Sequence, residues 1–175
     1  MSGGDEPPEP SQGEDSKGNR VQYFEDIRVE SMRRHGPGRV ISAEEIKCFA
    51  AEFDPMPFHL DEEAAKASIL GGLCASSVHV LALGTQLSHA HRGDSEGMVV
   101  SSALGWDEVR LKRPLFAGDH VRAQSYVESK RESASRSDCG IVILRTEIVL
   151  ADGSVVASYK VSLLVDKRPH QETDE

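Results

Sequence analysis

The sequence of 175 residues has few cysteines, few aromatic residues and a deficit of basic charge. Its three cysteines are an odd number without the paired spacing of a zinc site, and the first residues lack the basic and apolar regions of a secretory leader. We therefore expect reduced thiols and a cytoplasmic protein. Lys and Arg number 20 against 29 Asp and Glu, which gives a net charge of -9. Phosphate backbones would repel such a chain, so we expect no nucleic-acid partner.

Long hydrophobic runs are also lacking. Residues 69–88 contain no Asp, Glu, Lys or Arg, over a length near the roughly 20 residues that cross a bilayer. Glycine, serine, threonine and glutamine dilute this stretch, and no basic cluster flanks it. The pattern favours a helix buried within the protein, and we expect no membrane partner.

The two ends of the chain differ from its middle. Residues 1–19 hold five acidic residues and one basic residue but no Val, Ile, Leu or aromatic residue, so we expect a disordered acidic tail. Residues 167–175 form an equally polar C-terminal tail. Residues 20–166 show no internal repeat and no linker, which indicates one domain.

Helical spacing dominates the first half of this domain. Ser42 and Glu45 form a capping box before apolar residues at helical spacing, which predicts a helix over residues 43–53. Acidic residues in a first turn predict a second helix over residues 62–67. The uncharged segment is predicted to be a third, buried helix over residues 74–89.

Alternation with a period of two dominates the second half. An Asp-Gly turn at residues 152–153 separates two runs rich in β-branched residues, which indicates a hairpin. Strands are predicted over residues 98–103, 106–111, 121–128, 141–150 and 155–165. Helices followed by strands predict an α+β fold in which a curved antiparallel sheet wraps one apolar helix.

The densest group of reactive side chains lies in residues 53–65, FDPMPFHLDEEAA. Asp54 and His59 are separated by Pro55 and Pro57, which fix φ and stiffen the loop. A rigid loop can hold a carboxylate and an imidazole around one water, so that one group removes a proton and the other delivers one. This chemistry suits the addition of water to a double bond. The same spacing also fits an aspartate that ends a helix and a histidine that packs in a loop.

The segment resembles the motif GDxNPxH of the MaoC-like dehydratases and (R)-specific enoyl-CoA hydratases, which have the hot-dog fold. Asp54, Pro57 and His59 match this motif. The resemblance begins at YFEDIRVE near Tyr23, continues through GGLxAS and RPLFAGDHV, and covers nearly all of residues 22–166. It implies a single hot-dog domain with a long central helix, and it makes Asp54 and His59 the catalytic acid/base pair.

The chain departs from the hydratase pattern at two places. Met56 stands where the motif has Asn, and Ser76-Ser77 stand where the hydratases have His-Gly before the central helix. The resemblance implies that the N–H of Ser77, at the helix N-terminus, polarises a thioester carbonyl. The Ser77 side chain, however, occupies space that glycine would leave for an acyl group. Thr85 matches a helix serine that lies near the site in the hydratases.

Each of the remaining candidate site residues fits both a functional and a structural interpretation. Gly72, after Gly71, either makes room for a thioester or forms a turn. His79 fits a hydrogen-bonded core histidine better than a second base. Three basic residues either meet the phosphates of coenzyme A or end a strand in solvent: Arg110, Lys112 and Arg113.

Three functions fit these residues. The resemblance implies a hydro-lyase that hydrates trans-2-enoyl-CoA reversibly to 3-hydroxyacyl-CoA, or performs a related dehydration, without a metal or other cofactor beyond the coenzyme A of its substrate. A hot-dog thioesterase would carry a carboxylate on the central helix, but residues 74–89 contain none. A non-catalytic acyl-thioester-binding subunit would keep the pocket and lose turnover through Met56 and Ser77. In each case, an open sheet edge predicts a homodimer or a higher homo-oligomer.

Overall fold

The structure is a computed structural model that describes residues 13–14, 20–89 and 97–169. Its helices are α1 (Ala43–Phe53), α2 (Pro57–Leu60), α3 (Glu62–Ala67) and α4 (Ser77–His89), preceded by a 3-10 turn at Phe24–Asp26. Its strands are β1 (Gly13–Glu14), β2 (Arg20–Gln22), β3 (Met32–Val40), β4 (Gly97–Met98), β5 (Val100–Leu111), β6 (His120–Glu132), β7 (Cys139–Leu150) and β8 (Val155–Asp166).

Five long strands form one antiparallel sheet in the order β3-β6-β7-β8-β5. The predicted hairpin joins β7 to β8, and Gly153 adopts a φ of +84° in its turn, which favours glycine. Helix α4 packs on one face of this curved sheet. The arrangement confirms the predicted α+β fold class.

Helices α1 and α3 have the predicted bounds, because each begins with a side-chain cap that is visible in the sequence. The Ser42 hydroxyl accepts a hydrogen bond from the Glu45 N–H at 3.1 Å, and the Asp61 carboxylate accepts one from the Ala64 N–H at 2.8 Å.

Other boundaries were wrong. The predicted loop between α1 and α3 contains α2, because Pro57 at its first position has a suitable φ and needs no N–H partner there. Helix α4 begins at Ser77 instead of residue 74, because Cys74 pairs with Phe116 in a β-bridge. The two strands predicted at residues 98–103 and 106–111 form one irregular strand, β5, which begins at Val100, whereas Met98 belongs to β4. Strand β3 was missed.

Helix α4 is buried on one face only, which corrects the expectation of a buried helix. Leu83 and Leu87 lie in the main core with Ile46, Leu115 and Ile148. The opposite face of α4 is exposed in the single chain at several positions, namely Ser77, Val78, Ala82, Thr85 and Gln86.

Of the two predicted tails, the structure describes only Gly13–Glu14, which pair with β2, and residues 167–169. In the second of these segments, Arg168 contacts the Asp26 carboxylate at 2.8 Å. None of the helices in the described ranges has the length and apolar character needed to cross a membrane.

Candidate acid/base site

Asp54 ends helix α1, and main-chain hydrogen bonds hold it in place. Its N–H donates to the carbonyl oxygen of Ala50 at 2.9 Å, and its own carbonyl accepts from the Met56 N–H at 2.7 Å. The Met56 carbonyl in turn accepts from the His59 N–H at 2.9 Å. The backbone therefore shapes this turn without a side-chain amide at Met56, whose side chain is exposed.

His59 lies on α2 and is buried, with 8% of its side chain exposed against 33% for Asp54. Its Nδ1 atom lies 2.7 Å from the carbonyl oxygen of Cys74. Because a carbonyl only accepts, Nδ1 carries a proton in this contact. In the neutral ring the lone pair therefore resides on Nε2, which lies 4.0 Å from Oδ2 of Asp54.

The 4.0 Å separation between Nε2 and Oδ2 is too long for a direct hydrogen bond. A water beside both atoms would lie within hydrogen-bonding reach of each. The pair can thus bind one water and transfer protons to and from it.

The segment around Cys74, whose carbonyl contacts His59, is hydrogen-bonded to the residues that precede β6. The Ala75 N–H donates to the Leu115 carbonyl at 2.8 Å, and the Ala117 N–H donates to the Leu73 carbonyl at 3.1 Å. The Cys74 thiol is buried, and this burial raises its pKa. It therefore stays protonated near neutral pH and makes a poor nucleophile.

The first turn of α4 offers free N–H groups. The Ser76 hydroxyl accepts from the His79 N–H at 3.2 Å, whereas no acceptor within the described residues takes the N–H of Ser77 or Val78. Such groups at a helix N-terminus favour a developing negative charge. The chain continues from Cys74, which holds His59, directly into this turn.

The structure favours the turn reading for the paired glycines. Gly71 has a φ of +75°, and its N–H donates to the Ser68 carbonyl at 3.1 Å. A Cβ atom on Gly72 would lie 3.4 Å from the Phe116 ring. Gly72 thus packs against an aromatic ring.

The basic residues at the end of β5 are all exposed: Arg110, Lys112 and Arg113. Arg113 donates to the Ser154 hydroxyl at 2.6 Å. Within the described residues, no hydrogen bond or ion pair joins these three side chains to Asp54 or His59.

His79 makes fewer polar contacts than expected for a core histidine. Its ring stacks on Phe49 at 4.2 Å, and its Nε2 atom lies 3.6 Å from a carboxylate oxygen of Glu45. Its buried Nδ1 atom has no hydrogen-bond partner among the described residues. Burial lowers the pKa of His79, although the Glu45 charge opposes this shift. Arg39 pairs with Glu45 from β3.

A cavity of about 320 Å³ lies between α4 and the sheet. Thr85 lines it, whereas Asp54, His59, Gly72 and Ser77 do not. The structure therefore brings together the acid/base pair and the start of α4, and places Thr85 in a separate space farther along the helix.

Polar residues on the cavity wall were missed by the sequence reasoning: His35, Ser125, Thr146 and Tyr159. Strand alternation alone marks Ser125 as facing the same side as the buried Ala123 and Val127. The hydroxyl of Ser125, at a strand position that faces the core, was therefore the sequence feature that could have indicated a polar cavity wall.

Comparisons with known proteins agree with this architecture. Residues 26–147 match the family model described as MaoC like domain. A mesaconyl-CoA hydratase from Cereibacter sphaeroides is 29% identical over 153 residues, which are 87% of this chain and 43% of that protein. The chain thus spans less than half the length of this relative.

Solved structures give the same result. A MaoC-like dehydratase from Rhodospirillum rubrum has a TM-score of 0.76 at 32% identity, covering 85% of this chain and 99% of the other. A Mycobacterium tuberculosis protein with a double hot-dog fold has a TM-score of 0.67 at 18% identity, covering 87% and 46%. This second likeness concerns the fold alone. The chain has a hot-dog fold and belongs to the family of MaoC-like dehydratase domains.

Proposed function

We propose that this protein is a hydro-lyase that reversibly hydrates a trans-2-enoyl-CoA thioester to a 3-hydroxyacyl-CoA, or performs the corresponding dehydration. Membership of the MaoC-like family supports a hydratase or dehydratase. The observation that carries the proposal is the 4.0 Å separation of Asp54 Oδ2 and His59 Nε2 in a rigid turn.

In the hydration direction, the oxygen of the bound water forms a bond to C3 of the enoyl group. Its proton passes to the Asp54 carboxylate or to Nε2 of neutral His59, and the partner in its protonated form delivers a proton to C2. The electrons of the double bond shift towards the thioester oxygen between these steps. Electrons are neither gained nor lost overall, so the proposed reaction needs no redox cofactor.

The start of α4 would stabilise the charge on the thioester oxygen. The N–H groups of Ser77 and Val78 have no acceptor within the described residues and lie at the positive end of the helix dipole. They are therefore suited to an oxyanion that forms only during the reaction.

The direct test is incubation with a trans-2-enoyl-CoA, with the product identified by mass. Wild-type protein should give the 3-hydroxyacyl thioester, and Asp54→Asn should lower the rate by about 100- to 10,000-fold. Glu52→Gln is the matched control, because Glu52 is an exposed carboxylate on the same helix. Full activity in Asp54→Asn would reject the proposed role.

Two other outcomes would identify a different function. Release of free coenzyme A without hydration would indicate a thioesterase, although α4 carries no carboxylate. Tight binding of the thioester without consumption would indicate a non-catalytic subunit.

We further propose that the exposed basic residues contact the phosphates of coenzyme A: Arg110, Lys112 and Arg113. Their replacement by glutamine should raise KM for a coenzyme A thioester and leave KM unchanged for a short thioester without phosphates. Equal effects on both substrates would reject this contact.

We also propose a homodimer or a higher homo-oligomer. Strands β3 and β5 end the five-stranded sheet of the described residues, and on β5 the residues Leu104 and Trp106 are 52% and 56% exposed. Open edges and exposed apolar residues favour association with a second copy. A monomer in sedimentation equilibrium at assay concentration would contradict this proposal.

A cytoplasmic location is part of the proposal, because Cys48, Cys74 and Cys139 are all free thiols. Free thiols are typical of reducing compartments. Cell fractionation that recovers the protein outside the cytoplasm would contradict it.

A further inference from the structure

The cavity beneath α4 has a row of polar side chains across its floor. Register pairs Arg33 on β3 with Ser125 on β6, Ser125 with Thr146 on β7, and Thr146 with Tyr159 on β8. Residues opposite one another in an antiparallel sheet share a face. All four line the cavity.

Hydrogen bonds connect Ser125, Thr146 and Tyr159 with His35, which lies two residues after Arg33 on β3 and also lines the cavity. The Nε2 atom of His35 lies 2.9 Å from the Ser125 hydroxyl, which lies 3.0 Å from the Thr146 hydroxyl. Thr146 is in turn a hydrogen-bond partner of the Tyr159 phenol, whose pKa is raised to about 12 by burial. We call His35, Ser125, Thr146 and Tyr159 the polar row.

The polar row retains hydrogen-bonding capacity towards the cavity. A hydroxyl has one donor and two acceptor sites, so each hydroxyl with two partners can still accept a third hydrogen bond. The Nδ1 atom of His35 has no hydrogen-bond partner among the described residues. Burial, with the charges of Arg33 and His89, lowers the pKa of His35 to about 4, so the ring is neutral at pH 7.

A neutral histidine at the end of a hydroxyl chain can either donate or accept. If its Nε2 atom accepts from Ser125, Nδ1 carries the proton and can donate to a carbonyl or carboxylate. If the chain runs in the other direction, Nδ1 can accept from a hydroxyl. The cavity therefore suits an oxygen-containing group of either kind.

Part of the cavity wall is apolar and suits a hydrocarbon chain; this part comprises Met32, Met98, Val127, Leu144, Val161 and Leu163. Further polar side chains line the cavity outside the polar row, among them Gln22, Arg33 and Thr85. A purely hydrocarbon ligand would bury the polar row without providing partners for its spare sites, which is unfavourable. An apolar chain with one oxygen group would satisfy both parts of the wall.

The residue of α4 that lies above the polar row indicates how far the row is from the thioester carbonyl at the start of the helix. A Cβ atom on Gly84 would lie 2.5 Å from the Tyr159 hydroxyl, so the row passes beneath this residue. Gly84 follows Ser77 by seven residues, which is roughly 10 Å along a helix. The oxygen group would thus lie several bonds beyond the double bond.

We infer that this cavity binds acyl thioesters of medium chain length whose acyl chain carries an oxygen group, a hydroxyl or a carboxyl, near its far end. The inference concerns the substrate class and rests on the proposed hydratase function for the thioester and its position, whereas the oxygen group is inferred from the cavity. Thr85 is the first residue of α4 that lines the cavity, followed by Ser88 and His89.

The test measures binding, so it does not depend on turnover. Calorimetry would compare saturated decanoyl-CoA with two analogues that carry a hydroxyl or a carboxyl on the terminal carbon. At least one analogue should bind wild-type protein about fivefold more tightly than decanoyl-CoA, the usual effect of one hydrogen bond. The two analogues distinguish a neutral oxygen group from a charged one.

Variants of the polar row should remove this preference. Thr146→Val with Ser125→Ala should bring the affinities for all three thioesters to within about twofold. Ser125→Ala alone is the second variant in case the double change impairs folding. Ser129→Ala is the matched control, because Ser129 is an exposed serine on the same strand, and it should keep the wild-type preference.

Three results would overturn the inference: equal or tighter binding of decanoyl-CoA by wild-type protein, no binding of any of the three thioesters, or an unchanged preference in the row variants. Failure of the hydratase function is seen separately, as the absence of a 3-hydroxyacyl product when wild-type protein is incubated with a trans-2-enoyl-CoA. The binding preference of wild-type protein is unaffected by that outcome.

Discussion

The acid/base pair and the polar row lie in different parts of the hot-dog domain and are built in different ways. Asp54 and His59 are five residues apart, and short main-chain contacts hold both in one turn, with Asp54 partly exposed and His59 buried. The polar row is assembled from four strands and lies on the face of the sheet that lines the cavity beneath α4. The first site therefore depends on local chain geometry, and the second depends on strand register.

This difference predicts how each region tolerates change. The partly exposed Asp54 side chain can be replaced without disturbing the sheet, so its loss should mainly change catalysis. A side chain in the polar row packs against α4 and neighbouring strands, so its loss should change stability and ligand preference together.

The largest expected effect is a loss of turnover in variants of the acid/base pair, and a difference in stability distinguishes its two members. His59→Phe should lower turnover by about 100- to 10,000-fold. It should also lower the free energy of unfolding by about 1–3 kcal/mol, because the Cys74 carbonyl loses its buried donor. Asp54→Asn should lower turnover as much as His59→Phe does, but it should cost little stability. Chemical denaturation and initial rates would check this, and equal stability losses in the two variants would contradict it.

The second prediction concerns the close approach of α4 to the polar row. Gly84→Ala should destabilise the protein by about 1–3 kcal/mol, because the new methyl group would meet the Tyr159 hydroxyl at 2.5 Å and Ile148 at 2.8 Å. Adding Tyr159→Phe should recover part of this loss, because it removes the nearest atom. A double-mutant cycle by thermal unfolding gives the coupling, and additive effects would contradict the proposed clash.

Local features of the sequence were sufficient for part of this architecture. Ser42 and Asp61 cap α1 and α3, so both helix starts could be predicted from neighbouring residues. Strand β3 was missed because Gly36, Pro37 and Gly38 interrupt its alternation. Helix α2 is not apparent from the sequence, because two prolines close together are typical of a loop.

The cavity could not have been predicted in the same way. Ser125, Thr146 and Tyr159 are scattered over three strands, and they become neighbours only through the register of β6, β7 and β8. The role of Asp54 and His59 stays a prediction, as do the coenzyme A contacts of the basic residues.

The pH dependence of stability should identify His35 within the polar row. Its pKa is lowered from 6.5 to about 4, mainly by burial, so the unfolded chain binds a proton that the folded protein does not. The free energy of unfolding should therefore fall as the pH falls from 6.5 towards 4, and His35→Gln should make this slope shallower. Arg33 and His89, the charged and titratable groups that act on this ring, stay unchanged in the comparison. Identical slopes for the two proteins would contradict a buried neutral His35.

The smallest expected effect concerns the ion pair of Arg39 and Glu45, which connects β3 to α1. Arg39 holds the pKa of Glu45 below its usual 4.5, so the stabilisation is present above this pH and is lost as the pH falls through the lower folded value. Both side chains are about one-third exposed, so Glu45→Gln should cost less than about 1 kcal/mol at neutral pH. The difference from wild type should shrink as the pH falls below 4.5. A difference that is independent of pH would indicate packing instead of charge.

The most direct test of the central claim follows the oxygen of water through the reaction. Wild-type protein and Asp54→Asn would be incubated with a trans-2-enoyl-CoA in isotopically labelled water, and the products analysed by mass. The account predicts that wild-type protein places the label on the hydroxyl at C3 of an intact thioester, and that Asp54→Asn does so at a greatly reduced rate. Label in a free carboxylate, or equal incorporation by both proteins, would contradict it.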